Sequence, residues 1–238
     1  VYQLTIIGGF TDAFHFYPVI VRDSIATIYL HNNMLEYGHT YYVTIDNGVL
    51  NLADGSFQGV TKEDEWTFTT KSDMPELSDT LIVDATGKGD FNTVQGALDF
   101  IPDFNEQQTV ILVNPGDYEE LVYTRNKWNV KIKGAGMADT KVHYANNEVF
   151  NPHPLTVKTN EWPGTFPSRR AAFMLDNCKD IVIEDMTIAT DLKGQAEGLL
   201  INGERIALYR VHIIGSGDAL QANGTIYMES CELDGGGD

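Results

Sequence analysis

The chain is short of the residues that staple small domains or hold metals. It carries 2 cysteines in 238 residues, Cys178 and Cys231, too few for a disulfide framework or a thiolate knot. Its 6 histidines are scattered singly, without the HxxxH or CxxC pairings that metal sites use. No metal and no other cofactor is expected. No apolar run approaches the roughly 20 residues that cross a bilayer, so no membrane span is expected. Cations are scarce too: 16 Lys and Arg stand against 34 Asp and Glu, a formal charge of −18. Residues 1 to 75 hold 3 basic and 9 acidic side chains, and the remainder holds 13 and 25. A nucleic-acid backbone needs a cationic surplus, and neither part offers one. The chain opens on Val1 with no charged-then-apolar leader, and its start therefore says nothing about compartment.

What is present falls into two rhythms. Residues 1–72 read as short strands and turns. In HTYYVTIDNG, Tyr41, Val43 and Ile45 alternate with Tyr42 and Thr44, and DNG supplies a turn. Trp66 and Phe68 alternate in EWTFTT. This pattern predicts a small β-sandwich. From about residue 34 to 70 it resembles the later half of a bacterial immunoglobulin-like domain, without an opening strand or two. Residues 73–79, polar and containing Pro75, read as a linker.

From residue 80 to 238 the pattern changes. DFNTVQGALDFIP places Phe91, Val94, Leu98 and Ile101 on one helical face, with Asn92 and Gln95 spaced as a capping box and Pro102 as the stop. Short apolar strands follow, and they repeat. DIVIEDMTI, RIALYRVHI and TIYMESCEL superimpose without gaps, aligning Ile181, Ile206 and Ile226, then Ile183, Leu208 and Met228. Met186, Val211 and Cys231 come next, then Ile188, Ile213 and Leu233. Repeats of this length build solenoids whose rungs bury one side against their neighbours. The fold class expected is all-β: a parallel β-helix with an N-terminal capping helix, preceded by a partial immunoglobulin-like sandwich. Cys231 takes a core slot there, as a packed thiol.

Asp218 follows Ile213 by five positions and Asp238 follows Leu233 by five. Adjacent strands of a parallel stack lie roughly 4.8 Å apart, so the two carboxylates should be neighbours. Two full charges about 5 Å apart, at an effective dielectric near 20, repel by roughly 3 kcal/mol. Such a pair tends to hold one proton, giving an acid beside a nucleophile or base without histidine or metal. The alternative is that both are turn residues, which glycine and aspartate favour wherever they occur.

This half resembles the pectin methylesterase (pectinesterase) family, right-handed parallel β-helices that hydrolyse methyl esters on galacturonan. VDATGKGDFNTVQGALDFIP is similar to the family's opening V-x-x-D-G-S-G-D-F-x-T-I-x-x-A-I-x-x-x-P, and ILVNPGDYEELV to I-x-x-G-x-Y-x-E-x-V. GQAEGLLI is similar to Q-A-V-A-L, GDALQ to Q-D-T-L, and CELDGGGD to C-x-I-x-G-T-V-D. The resemblance implies Gln195 as an oxyanion donor, Asp218 as general acid then base, and Asp238 as nucleophile. It implies pectin as the partner and a secreted, periplasmic or cell-surface location in a bacterium. Gly217 stands where the motif has a second oxyanion glutamine, a loss that Gln221 or a backbone amide would have to offset. The family's arginine beside the nucleophile lies in a later motif, so the sequence reads as a piece of a longer enzyme, inactive by itself. Two carboxyls about 5 Å apart would also suit a retaining glycosidase, and a lyase or a non-catalytic pectin-binding protein would fit the same scaffold. His212 should point outward. Tyr118, Trp128, Trp162 and Tyr209 are candidate sugar platforms, packing being the default for each. PSRR at 167–170 is either a galacturonate clamp or a solvated loop.

Overall fold

A computed structural model of the chain describes residues 3–6, 13–30, 35–51, 54–151 and 169–236. The early strands pair locally and antiparallel. β1 (Gln3–Ile6) joins β2 (Ala13–Phe16), and β3 (Val19–Arg22) joins β4 (Ile25–Ile28). β5 (Thr40–Tyr42) joins β6 (Thr67–Thr69), with the Tyr41 and Phe68 rings stacked 5.6 Å apart.

The chain forms two compact units. One comprises Val1–Tyr29 with Leu77–Asp238, the other Leu30–Glu76. The reason is burial. Phe16 and Ile20 share an apolar cluster with Tyr123, Met174 and Leu200, and the Tyr17 N–H donates to Tyr144 Oη at 2.8 Å. In the smaller unit the described strands are the single β5–β6 pair and an Ile45–Val60 bridge, with Ile45 its one buried hydrophobic among the described residues.

After Leu77 pairing turns parallel. β7 (Thr80–Val83) leads to α1 (Val94–Phe100), β8 (Thr109–Val113), β9 (Gly116–Glu119), β10 (Val122–Arg125), β11 (Trp128–Lys133) and β12 (Thr140–Tyr144). Three long strands and a short one follow: β13 (Phe173–Thr190), β14 (Leu199–Ile214), β15 (Leu220–Glu229) and β16 (Glu232–Asp234). β13 explains the architecture, because it pairs in turn with β10, β11 and β12 along its length. Each coil thus contributes to three walls, stacked in parallel on the coil below. With all neighbours parallel, this is the β-helix expected.

The predicted rungs hold residue by residue. Ile181, Ile183, Met186 and Ile188 of β13 lie opposite Ile206, Leu208, Val211 and Ile213 of β14. Ile206 and Leu208 lie opposite Ile226 and Met228, and Ile213 opposite Leu233. These side chains fill one core, with Ile226, Met228 and Cys231 partly buried against it, except for Leu233, which is half exposed. Between walls the strands bend at non-glycine residues in the left-handed region: Asp180 (φ 56°), Asp185 (φ 59°), Arg205 (φ 53°) and Arg210 (φ 52°). That conformation costs roughly 1–2 kcal/mol per residue. Part is offset by forked pairs between coils, Arg205 to Asp180 at 2.5 and 2.6 Å and Arg210 to Asp185 at 2.6 and 3.0 Å.

α1 closes one end, burying Val94, Ala97 and Leu98 in the core. Its cap is Thr93 rather than Asn92: the Thr93 hydroxyl accepts from Gly96 N–H at 3.0 Å. Gln95 is not the partner in a capping box, since its side chain bonds Asp99 and the Tyr123 backbone. The first free N–H groups of the helix, those of Val94 and Gln95, are taken by the buried Glu120 carboxylate at 2.8 and 2.9 Å. No helix among the described residues is long and apolar enough to cross a membrane.

Candidate active site

Two of the candidate residues, Gln195 and Asp218, lie at one corner of the β-helix, where each coil passes from its second wall to its third. Backbone bonds clip the layers together there. Ser216 N–H donates to Ala196 O at 2.9 Å, Gly198 N–H to Ala219 O at 3.0 Å and Gly215 N–H to Asp234 O at 2.8 Å. The Gly194 N–H is held by Ser216 Oγ at 3.0 Å. Three successive passes of the chain are therefore stacked: 194–198, 215–219 and 234–236. Glycine is required where they crowd. A Cβ on Gly215 would lie 1.8 Å from Asp218 O, and one on Gly236 would lie 2.5 Å from Ser216 O. The latter contact accounts for glycine where the family motif has threonine.

Asp218 projects from the middle layer with its side chain about half exposed. Gln195 is exposed on the layer beneath, and a Cβ on Gly217 would sit 3.0 Å from Gln195 Oε1. The amide thus lies against Gly217, next in sequence to Asp218. Asp238 falls outside the described residues. What is described is the approach to it: Asp234 pairs with Ile214 and Gly236 stacks on Ser216, so the twenty-residue offset persists to within two positions of Asp238.

Gln221 follows the 215–219 pass by two residues. It lies within β15 opposite Leu200, half-buried, and its Oε1 is buried without a hydrogen-bond partner among the described residues. It belongs to the row of Met174 and Leu200 on the outer side of the third wall.

Sequence reasoning missed Glu197. It is fully buried two residues after Gln195, where the family's Q-A-V-A-L segment carries valine. Its carboxylate is gripped by Arg170: Nε lies 2.7 and 3.0 Å from the two oxygens, and Nη2 lies 2.6 Å from Oε1. Arg170 Nη2 is also 3.8 Å from Asp218 Oδ2, and Nη1 is 3.8 Å from Glu148 Oε2. The hydrogen bond and charge of Glu197, with lesser help from Glu148 and Asp218, hold the guanidinium above its ordinary range against the opposing effect of burial. Arg170, one half of the RR pair in PSRR, is therefore engaged by the chain's own carboxylates. The signal that could have found this pair was a glutamate inside the otherwise apolar run AEGLLI.

The remaining candidates lie elsewhere. Tyr118 is buried and donates to Asn114 O at 2.9 Å, a core residue. Trp128 packs edge-on to Phe104 with Lys179 Nζ 5.0 Å from its ring. Tyr209 leans on Tyr227, and His212 faces outward, 2.9 Å from Asp234. Trp162 lies outside the described residues, as do Pro167 and Ser168. Cys178 is buried, which pushes its thiol up to about 12 and leaves it inert at neutral pH. Among the described residues no group of three or more His, Cys, Asp or Glu side chains is disposed to hold a metal ion.

Comparison with known proteins bears on the family and the fold. Residues 80–238 match the family model described as Pectinesterase. Pectinesterase QRT1 of Arabidopsis thaliana is 30% identical over 163 residues, covering 65% of this chain and 42% of its own length. Pectinesterase 31 of the same plant is 29% identical over 158 residues, covering 64% and 49%. Among solved structures, the pectin methylesterase from carrot superposes with a TM-score of 0.53 at 21% identity, over 67% of this chain and 47% of that one. The Aspergillus niger enzyme gives 0.53 at 18% identity, over 67% and 51%. These likenesses show a shared fold, the right-handed parallel β-helix. The chain spans less than half the length of either curated relative. With the family model matched over two thirds of its residues, the chain belongs to the pectinesterase family.

Proposed function

We propose that this chain carries the first part of an esterase site that removes methyl groups from pectin, with Asp218 as acid and base, Asp238 as nucleophile and Gln195 as oxyanion donor. One observation supports the reading: the twenty-residue offset between coils holds through Gly236 over Ser216, and the same twenty residues separate Asp238 from Asp218 in the sequence.

The proposed chemistry uses these two carboxylates and the Gln195 amide. A carboxylate oxygen of Asp238 attacks the ester carbonyl, and the electron pair moves to an oxyanion that the Gln195 amide stabilises. As the C–O bond to the methoxy group breaks, protonated Asp218 gives its proton to the leaving oxygen and methanol departs. The Asp218 carboxylate then takes a proton from water, whose oxygen attacks the acyl carbonyl. Asp238 is released as a carboxylate and the galacturonate acid is free. No metal or other cofactor takes part. With Gly217 lacking a side chain, the oxyanion has one glutamine where the motif offers two.

The substrate is a wall polymer, so the enzyme works outside the cell, as a secreted, periplasmic or surface-held protein. A bacterial source rests on the immunoglobulin-like pattern of residues 34–70.

The decisive experiment measures methanol released from methyl-esterified pectin by the protein expressed from its complete coding sequence. Asp218→Asn and Asp238→Ala should each lower the rate by about 10³-fold or more. Unaltered release in Asp218→Asn would refute the assignment. New reducing ends or unsaturated products from polygalacturonate would instead indicate a glycosidase or lyase. Pectin binding without turnover in the wild type would indicate a binding protein.

A further inference from the structure

The Arg170–Glu197 pair needs a reason. Removing a carboxylate and a guanidinium from water costs several kcal/mol per ion, and apolar residues in their place are often neutral or stabilising. Glu197 is fully buried at a motif position where the family has valine, so the coil does not need an ion there. The pair also sits where the candidate chemistry is. Glu197 lies two residues from Gln195, and the Arg170 atom nearest Glu197 is also the one 3.8 Å from Asp218 Oδ2.

Geometry defines what the pair can do. Glu197 takes Nε and Nη2 in a two-pronged grip, which fixes the guanidinium plane and prevents it from swinging toward solvent. At 3.8 Å, Nη2 is beyond hydrogen-bond range of Asp218 yet close enough to bias which way that half-exposed carboxylate points. Asp218 has a glycine on its N-terminal side and no side chain there to brace it. One cation shared among Glu148, Glu197 and Asp218 leaves the corner net negative, so it attracts the Asp218 carboxylate without turning the corner cationic.

We propose that Arg170, held in place by Glu197, is a positioning residue that orients Asp218 for proton transfer, a role that rests on the esterase reading above. It acts through Asp218 and touches neither ester nor leaving group.

The test is the double variant Arg170→Met/Glu197→Val, which removes both charges together and restores the motif's valine, assayed in the complete protein. Misplacing an acid–base group should lower kcat by about 10- to 100-fold. KM should stay within about twofold, because the substrate contacts are untouched. The melting temperature should be unchanged or higher. The crystal structure of the variant should show Asp218 in a different rotamer. Arg170→Lys, which keeps the charge beside Glu197 but loses the fork, should fall between wild type and double variant. Wild-type kcat in the double variant, or Asp218 unmoved in its structure, overturns the proposal while leaving the esterase reading intact. An inactive wild type overturns both, and is told apart because the failure precedes any substitution.

Discussion

Gln195 Oε1 lies against Gly217, so closely that a methyl group on the glycine would approach it to 3.0 Å. The space a side chain at 217 would use is already filled by the amide of the layer beneath. Gly217→Ala should therefore push Gln195 aside without disturbing the backbone, since the crowded atom ends a flexible side chain. We expect kcat for methanol release to fall by about 10-fold with stability within about 0.5 kcal/mol of wild type. A parallel loss of melting temperature would show instead that the backbone, not Gln195, requires the glycine.

Glu120 gives a pH signature. Burial pushes its carboxyl from 4.5 up to about 7, against the pull of the Gln95 and Val94 N–H groups, and burial takes Asp99 from 3.8 up to about 6. In these windows the folded protein holds protons that the unfolded chain releases. Their contribution to stability is therefore full below about pH 4 and is lost as pH rises toward 7, at up to about 1.4 kcal/mol per pH unit for each group. Denaturant unfolding of Glu120→Gln between pH 4.5 and 7 should show a flatter decline than wild type. An identical slope would remove Glu120 as its source.

The inter-coil charges should separate by depth. Asp176 is fully buried, accepting from Arg125 Nε at 3.0 Å and Asn202 Nδ2 at 2.8 Å. Asp176→Ala leaves a partly buried guanidinium facing an apolar hole and should cost about 3–5 kcal/mol. Arg205 has the tighter fork, to Asp180, yet more than half its side chain is exposed. Arg205→Ala should cost far less than Asp176→Ala, and less still at high salt. Thermal melts of the two variants at low and high ionic strength check both statements. Similar costs would mean that depth is not what grades these pairs.

Leu208 is a direct probe of the rung core, being fully buried between Ile183 and Met228. Leu208→Ala should destabilise by about 2–5 kcal/mol through lost burial and the cavity left behind. A cost below about 1 kcal/mol would mean the coils can collapse onto the gap, contrary to a rigid stack.

Alternation decides how much of this is legible in the sequence. The first wall alternates, so Ile181 and Ile183 stand out, and Met186 and Ile188 extend the row after a one-residue kink to align with the next coil, although Thr187, Ala189 and Thr190 of the second wall are buried too. The third wall is invisible at that level. Phe173, Met174 and Leu175, like Leu199, Leu200 and Ile201, are buried on both sides because an outer cluster with Phe16 and Ile20 covers them. Continuous apolar runs carry no period. The register also slips between Asp176 and Cys178 and again between Gly203 and Ile206, which breaks any fixed repeat. The same outer cluster explains why residues 13–29 group, in sequence, with the strands after them: their apolar partners lie more than a hundred positions away. Arg170 and Glu197 escape for a related reason, since a pair that meets across coils leaves no local spacing to read.

The corner that carries Gln195 and Asp218 is also where the polypeptide can absorb length. From Ile188 to Leu199 the chain takes eleven steps, while the equivalent stretch on the next coil, Ile213 to Leu220, takes seven. Both deliver the chain to the same ladder. Lengthening a loop by half again adds only a few tenths of a kcal/mol of closure entropy, roughly, whereas a one-residue slip in a wall would turn every buried side chain outward. Insertions and deletions at this bend can therefore reshape what the carboxylates meet while the scaffold beneath stays fixed.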